Sequence, residues 1–222
     1  LVAALSPALA GAADPPAPPT IGAVFSQTGP AAVYGQQQVK GAQLAVDDLN
    51  ATAGFPGLLA LQLRDDASTG ETAKAAFTSL IDGGAVALLG PTLSGAAFIA
   101  DPLAQLRGTP VLGISNTADG ITEMGDNIFR NSLAERVVQP QTVKVAKRRL
   151  RLRRVAIVWA TPDAYSKASN TVFRRALRAN GVRVTTDRPF ASDSPAALGR
   201  ALDAAAKTRP DALVISVAAG IG

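Results

Sequence analysis

The sequence predicts an α/β protein built as two parallel-sheet lobes with a cleft between them. Three observations predict it. Apolar runs of strand length alternate with stretches of helical periodicity from residue 20 to residue 217. The alternation pauses over 119–132 and then restarts, which divides the chain into two β/α series. The residues just past the strands are polar, small or aromatic, which suits the lining of a crevice at the carboxyl ends of parallel strands.

Taken in order, an apolar strand is expected over 20–25 and a helix over 35–52, where Val39, Ala42, Val46 and Leu49 recur at helical spacing. Asp47 and Asp48 lie off that stripe and read as a solvated face. A strand over 59–63 leads to a helix over 71–81, stopped by Gly83-Gly84. A strand over 85–89 and a helix over 96–106 follow, with Pro102 as a local weakness, and then a strand over 111–114 behind Thr109-Pro110. The second series opens with a short extended segment over 128–130 and a helix over 135–150, with Pro140 near its first turns. Next come a strand over 155–159, a helix over 166–180 with Gly181 as a left-handed stop, and a strand over 182–185. A helix over 196–207, opened by Ser194-Pro195, precedes a last apolar strand over 212–217. Repeated β-α units imply right-handed crossovers and parallel sheets. Residues 20–120 form the expected N-terminal lobe and 121–222 the C-terminal lobe. A parallel sheet has both faces covered, yet the chain stops directly after a strand, so the second lobe is expected to be C-terminally truncated.

Residues 1–19 stand apart. The run Leu1 to Ala12 is apolar and small, with Ala-x-Ala patterns, and Asp14-Pro15-Pro16-Ala17-Pro18-Pro19 follows as an extended tether. This reads as the remnant of a secretory signal peptide and a Pro-rich linker, and hence as export to the periplasm or beyond. Leu9-Ala10-Gly11-Ala12 resembles a bacterial lipoprotein box with Ala in place of Cys, so no lipid anchor is expected. The chain of 222 residues has no Cys and no His, which removes thiol nucleophiles, Cys/His metal sites, disulfides and Ser-His-Asp triads together. No enzyme and no cofactor is expected. The net charge is +5, and a basic run spans 147–154. That run has the charge of a nucleic-acid or anionic-membrane patch, but it lacks interleaved aromatics and falls at a helix end, where cations are favoured, so it reads as a solvated face and no nucleic acid is expected as a partner.

The most informative segment is Leu88-Leu89-Gly90-Pro91-Thr92-Leu93-Ser94-Gly95. A buried strand breaks at a glycine, and Thr92 or Ser94 offers a hydroxyl where a helix begins. Such a helix start presents free N–H groups and positive potential to an anion. No Lys or Arg lies between Leu80 and Leu106, so the segment suits a small carboxylate held without a formal counter-charge. It lacks the Lys and the glycines of a phosphate loop. Ser94 also has a plain reading as a helix cap, and Thr117 as a turn residue. Trp159 reads as core, and Arg130 as a hinge brace or a surface residue. In Asp65-Asp66, adjacent strand residues face opposite ways, so Asp65 reads as a structural group at the cleft.

Several of these segments occur together in one family. Ser26-Gln27-Thr28-Gly29-Pro30, Tyr34-Gly35, the stretch from Gly41 to Asn50, Asp65-Asp66, Gly90 to Ser94, Ser115-Asn116-Thr117, Phe129-Arg130 and Tyr165 follow one another in an order that resembles the periplasmic solute-binding proteins of the leucine/isoleucine/valine-binding type, which serve ABC importers. The resemblance implies two Rossmann-like lobes (periplasmic binding protein type I) closing over a ligand. It implies that Ser94 and Thr117 hold a carboxylate and that the Ser115 carbonyl faces an ammonium group. Tyr34, Leu93 and Tyr165 then line the side-chain pocket, and Asn116 counts as a further ligand-binding candidate. The family's ammonium-pairing acid falls beyond Gly222, and an aromatic usual after the last strand is replaced here by Ala218-Ala219. The implied partners are an apolar amino acid or other small carboxylate and an ABC permease, with the protein itself a monomer. Aromatic or aliphatic acids without an amine, and a ligand sensor of the same fold, remain alternative readings.

Overall fold

The structure, a computed structural model, describes residues 17–54, 58–191 and 193–218. The signal-peptide reading of 1–16 and the departure at Ala219 lie outside the described residues.

The first sheet has the order β2-β1-β3-β4-β5, with every pair parallel. It comprises β1 (Thr20–Phe25), β2 (Ala60–Asp65), β3 (Ala85–Leu89), β4 (Val111–Gly113) and β5 (Ile128–Arg130). Helices α1 (Ala32–Ala51), α2 (Gly70–Asp82) and α3 (Ser94–Arg107) connect them. Helices α2 and α3 cover one face, where Phe77, Leu80, Leu88 and Ala97 pack with Val24 and Val111. Helix α1 covers the other through Ala42, against Ala23 and Phe25. The second sheet, β7-β6-β8, is also parallel and contains β6 (Arg154–Thr161), β7 (Arg183–Ala191) and β8 (Ala212–Ser216). Helices α4 (Glu135–Leu150) and α5 (Ala164–Ala179) cover one side of it through Val143, Ala176 and Leu177 against Val155 and Ile157. Helix α6 (Pro195–Lys207) covers the other through Ala201 and Ala205 against Ala156 and Val158.

Three expectations are corrected. Segment 128–130 belongs to the first lobe: β5 pairs with β4 from Val111↔Ile128 to Gly113↔Arg130, so the crossing between lobes falls after Arg130 and not at residue 120. A three-residue strand takes its place from its partner, which no local pattern reveals. Strand β7 runs to Ala191, not Thr185, because it follows β6 along its whole length. Its polar residues and Pro189 sit on an edge strand, where a missing N–H and polar side chains are tolerated. Ser94 does not cap α3: Leu93 occupies the N-cap, with no side-chain bond, and Ser94 is the first helical residue.

Elsewhere local chemistry sets the boundaries as expected. Gly181 (φ 66°) follows α5 in the left-handed region. Helix α6 opens with Pro195 behind Ser194, whose hydroxyl accepts from the Ala197 N–H at 3.2 Å. Ser194→Ala is expected to cost about 1 kcal/mol, read as a lower urea midpoint with an unchanged slope.

Candidate ligand cleft

The carboxyl ends of β1, β3 and β4 are laced into one platform. The Thr92 hydroxyl accepts from the Ser26 N–H at 2.9 Å and donates to the Gln38 side-chain carbonyl at 2.6 Å. Gln38 in turn donates to the Ser115 hydroxyl at 2.8 Å, and Ser115 donates to the Thr92 carbonyl at 2.7 Å. Buried Asp66 accepts from the Ser26 hydroxyl at 2.6 Å and from the Ser68 N–H at 2.8 Å. Burial raises its pKa against the pull of those bonds. Burial also opposes ionisation of Asp65, but the Thr28 hydroxyl and the N–H groups of Ala67, Thr28 and Gln27 outweigh it and hold that carboxyl low. Both aspartates are therefore structural fasteners of the loops and not an acid/base pair.

Between the lobes lies a cavity of about 250 Å³. The first lobe contributes Tyr34, Thr92, Leu93, Ser94, Ser115 and Thr117 to its lining, and the second contributes Glu135, Asp163, Tyr165, Val217 and Ala218. The sequence candidates Tyr34, Leu93, Ser94, Ser115, Thr117 and Tyr165 are thus brought together. Asn116 is not. Its side chain is fully buried, and its amide donates to the Pro91 carbonyl at 3.0 Å. Residues 115 and 117 face the cavity, so the residue between them turns into the lobe and fastens the β3 loop. Trp159 packs against the second-lobe core and donates to Asp187 at 2.8 Å, as expected of a residue outside the pocket.

Two lining acids had no counterpart among the sequence candidates. Glu135 opens α4, and its N–H donates to the Thr117 carbonyl at 2.9 Å across the lobe boundary. Burial pushes its pKa up, against hydrogen bonds from the Thr117 hydroxyl and the Gln139 amide. Asp163 caps α5, accepting from the N–H groups of Tyr165 (3.2 Å) and Ser166 (3.1 Å). The Tyr165 hydroxyl is raised by its own burial and then by the charge of Glu135. An acid in a helix's first turn reads from sequence as a complement to the dipole. Only the fold shows that Glu135 meets Thr117.

The cavity therefore has three chemical zones. The first turn of α3 presents N–H groups that lack intrahelical acceptors, beside the hydroxyls of Ser94 and Thr117. The lining contains carboxylates but no Lys or Arg. Tyr34, Leu93, Tyr165, Val217 and Ala218 supply apolar surface. The crossing is held close to this platform. Arg130 donates to the Ala118 carbonyl at 2.9 Å, and the Ser132 hydroxyl donates to the Asn116 carbonyl at 2.8 Å. Among the described residues no group of three or more acidic residues is arranged to hold a metal ion, and no helix is long and apolar enough to cross a membrane.

Comparison with known proteins gives the same frame. The sequence model of a family described as periplasmic binding protein matches residues 18–221. The Leu/Ile/Val-binding protein BraC3 of Rhizobium johnstonii is 33% identical over 166 residues, which cover 73% of this chain and 45% of that protein. The branched-chain amino acid transporter substrate-binding protein of Streptococcus pneumoniae, solved with isoleucine, superposes with a TM-score of 0.74 at 28% identity, over 83% of this chain and 53% of that one. A solute-binding protein of an ABC transporter from Rhodopseudomonas palustris, solved with 3,4-dihydroxybenzoic acid, shares the fold with a TM-score of 0.81 at 22% identity, over 91% and 55% of the two chains. The chain spans about half the length of the relatives it matches. Its two-lobed parallel architecture and the family match over 18–221 agree, and the chain belongs to the periplasmic binding protein family, alongside the Leu/Ile/Val-binding proteins.

Proposed function

We propose that this chain is the ligand-binding part of an exported, monomeric solute-binding protein that captures a small carboxylate and delivers it to an ABC permease, with branched-chain or other apolar amino acids as the leading ligand class. The observation that carries the reading is the cavity between the lobes, which joins the start of α3 and the Ser94 and Thr117 hydroxyls to an apolar wall and a carboxylate. The carboxylate of the ligand lies against the helix start and the two hydroxyls. Its ammonium group meets the Ser115 carbonyl and Glu135, and its side chain fills the space beside Tyr34, Leu93 and Tyr165. A cavity of about 250 Å³ suits a ligand of this size. Lobe closure about the crossing completes the enclosure and expels water.

A second reading, an aromatic acid without an amine, is favoured by one feature. Burial works against the charge of Glu135, and a phenolic or carbonyl group beside it makes no demand on that charge where an ammonium would need an anion. Titration calorimetry with leucine and with 4-hydroxybenzoate separates the two. Glu135→Gln is expected to weaken leucine by about tenfold, the loss of one hydrogen bond to a charged group, and to leave 4-hydroxybenzoate within about twofold, since a neutral amide still donates. Heat from neither ligand, nor from other amino or aromatic acids, would refute the transport reading.

A further inference from the structure

The charge of the chain is divided unevenly between its halves. Residues 131–222 carry 17 Lys and Arg against 6 Asp and Glu, net +11, while residues 1–130 carry 5 against 11, net −6. The topology gathers much of the excess on one surface. In the second lobe every helix ends, and every strand begins, at the pole away from the cleft, because all three strands are parallel. Helix α4 ends with Arg148 and Arg149 and runs through Arg151 and Arg153 into β6. Helix α5 ends with Arg178 and leads to Arg183 at the start of β7. The loops are tied into one face: Lys147 donates to the Asn180 carbonyl, and the Arg183 N–H donates to the Arg153 carbonyl at 2.9 Å. Asp211, the acid of this face, is engaged by the N–H groups of Arg153 (2.7 Å) and Arg154 (2.8 Å).

Cations near helix C-termini complement the dipole, but that effect fades within the last turn, and Arg151, Arg153 and Arg183 lie beyond it. Among the described residues none of the six arginines Arg148, Arg149, Arg151, Arg153, Arg178 and Arg183 makes an ion pair, and all six are exposed. A second observation selects the partner. Leu150, the last residue of α4, is 65% exposed in the midst of these arginines. It borders a shallow apolar depression of about 710 Å³ shared with Val137, Val138 and Val145. The valines lie back along α4 toward the cleft, so the arginines surround Leu150 alone, and cations around a protruding aliphatic side chain are the pattern of a surface that rests at a headgroup boundary. Single-stranded nucleic acid favours aromatic platforms for its bases, which the arginine loops lack.

We propose that this pole of the second lobe is a docking surface for an anionic phospholipid bilayer. Strand β6 places it eight residues, roughly 26 Å, from the cleft, so a docked molecule keeps its cleft free, and the proposal stands whatever ligand the cleft takes. The test is sedimentation of the chain with vesicles of phosphatidylcholine alone or mixed with phosphatidylglycerol, at low and at physiological salt. The expected result is binding to the mixed vesicles only, weakened by salt. Arg148→Gln, Arg151→Gln and Arg183→Gln together are expected to lower partition about a hundredfold, each near-surface cation contributing about fivefold, with unchanged circular dichroism. Leu150→Ser is expected to lower it several-fold at constant charge. Equal binding to neutral vesicles, no binding to the mixed ones, undiminished binding of the triple variant, or tighter retention by duplex DNA than by mixed vesicles at the same salt would each overturn the proposal.

Discussion

Ser94→Ala combined with Thr117→Val is expected to weaken a carboxylate ligand by at least tenfold and, with both bonds lost, by about a hundredfold or more. A hydrogen bond to a charged group contributes roughly 1.5–3 kcal/mol, and each 1.4 kcal/mol is tenfold in affinity. Valine keeps the shape of Thr117 and removes its hydroxyl, whose one proton bonds Glu135 until a ligand carboxylate takes it. The loss stops short of complete because the N–H groups at the start of α3 remain. Titration calorimetry with leucine and with 4-hydroxybenzoate reads the effect, and both should suffer, since both carry a carboxylate. Far-UV circular dichroism should not change. Ser94 also accepts from the Ala118 N–H at 3.4 Å, so the single variants are measured for stability first. An unaltered dissociation constant would place the carboxylate elsewhere.

The second large effect lies far from ligand chemistry. Asp101 sits on the buried side of α3 with Ala97, Ala100 and Ala104, and its Oδ1 has no hydrogen-bond partner. Burial pushes its pKa to about 8. In the unfolded chain the group ionises near 3.8, the ordinary value of an aspartate. Between those values the folded state holds a proton that the unfolded state has released, so stability falls as pH rises, by up to about 1.4 kcal/mol per pH unit. The stabilising contribution is complete below the lower value and gone above the upper one. Asp101→Asn is expected to flatten this slope and to raise stability at pH 8 by several kcal/mol. Urea denaturation at successive pH values checks it. An identical slope in the variant would show that Asp101 finds solvent or a partner when ionised.

The layer order of the molecule was legible because parallel strands buried on both faces read as continuous apolar runs, as in Val155–Val158. Glycine stops at Gly83-Gly84 and Gly181 marked helix ends for reasons local to the chain. Ser94 stood out because a strand-to-helix junction is written in consecutive residues, and Thr117 only through the family resemblance; the fold brings both to the lining of the cavity. What escaped had no local signature. The sheet to which Ile128–Arg130 belongs depends on which neighbour is free to pair. The direction of Asn116 depends on the turn between Ser115 and Thr117. Glu135 joins the cleft only because the crossing carries α4 back to the β4 loop, so its role is a product of tertiary structure. Asp101 was readable in principle: it shares a helical stripe with buried alanines, and a charge on such a stripe is the anomaly worth following.

The uncharged character of the anion grip has a consequence for ionic strength. Dipoles and hydroxyls release no counter-ions when a carboxylate settles among them, and the walls of a closed cavity keep dissolved salt out. Under the proposed carboxylate grip, occupancy of the cleft is expected to be nearly indifferent to salt, while any attraction exerted by the arginine pole fades as the Debye length shrinks. Adding salt should strip the molecule from a charged surface with its cargo still aboard.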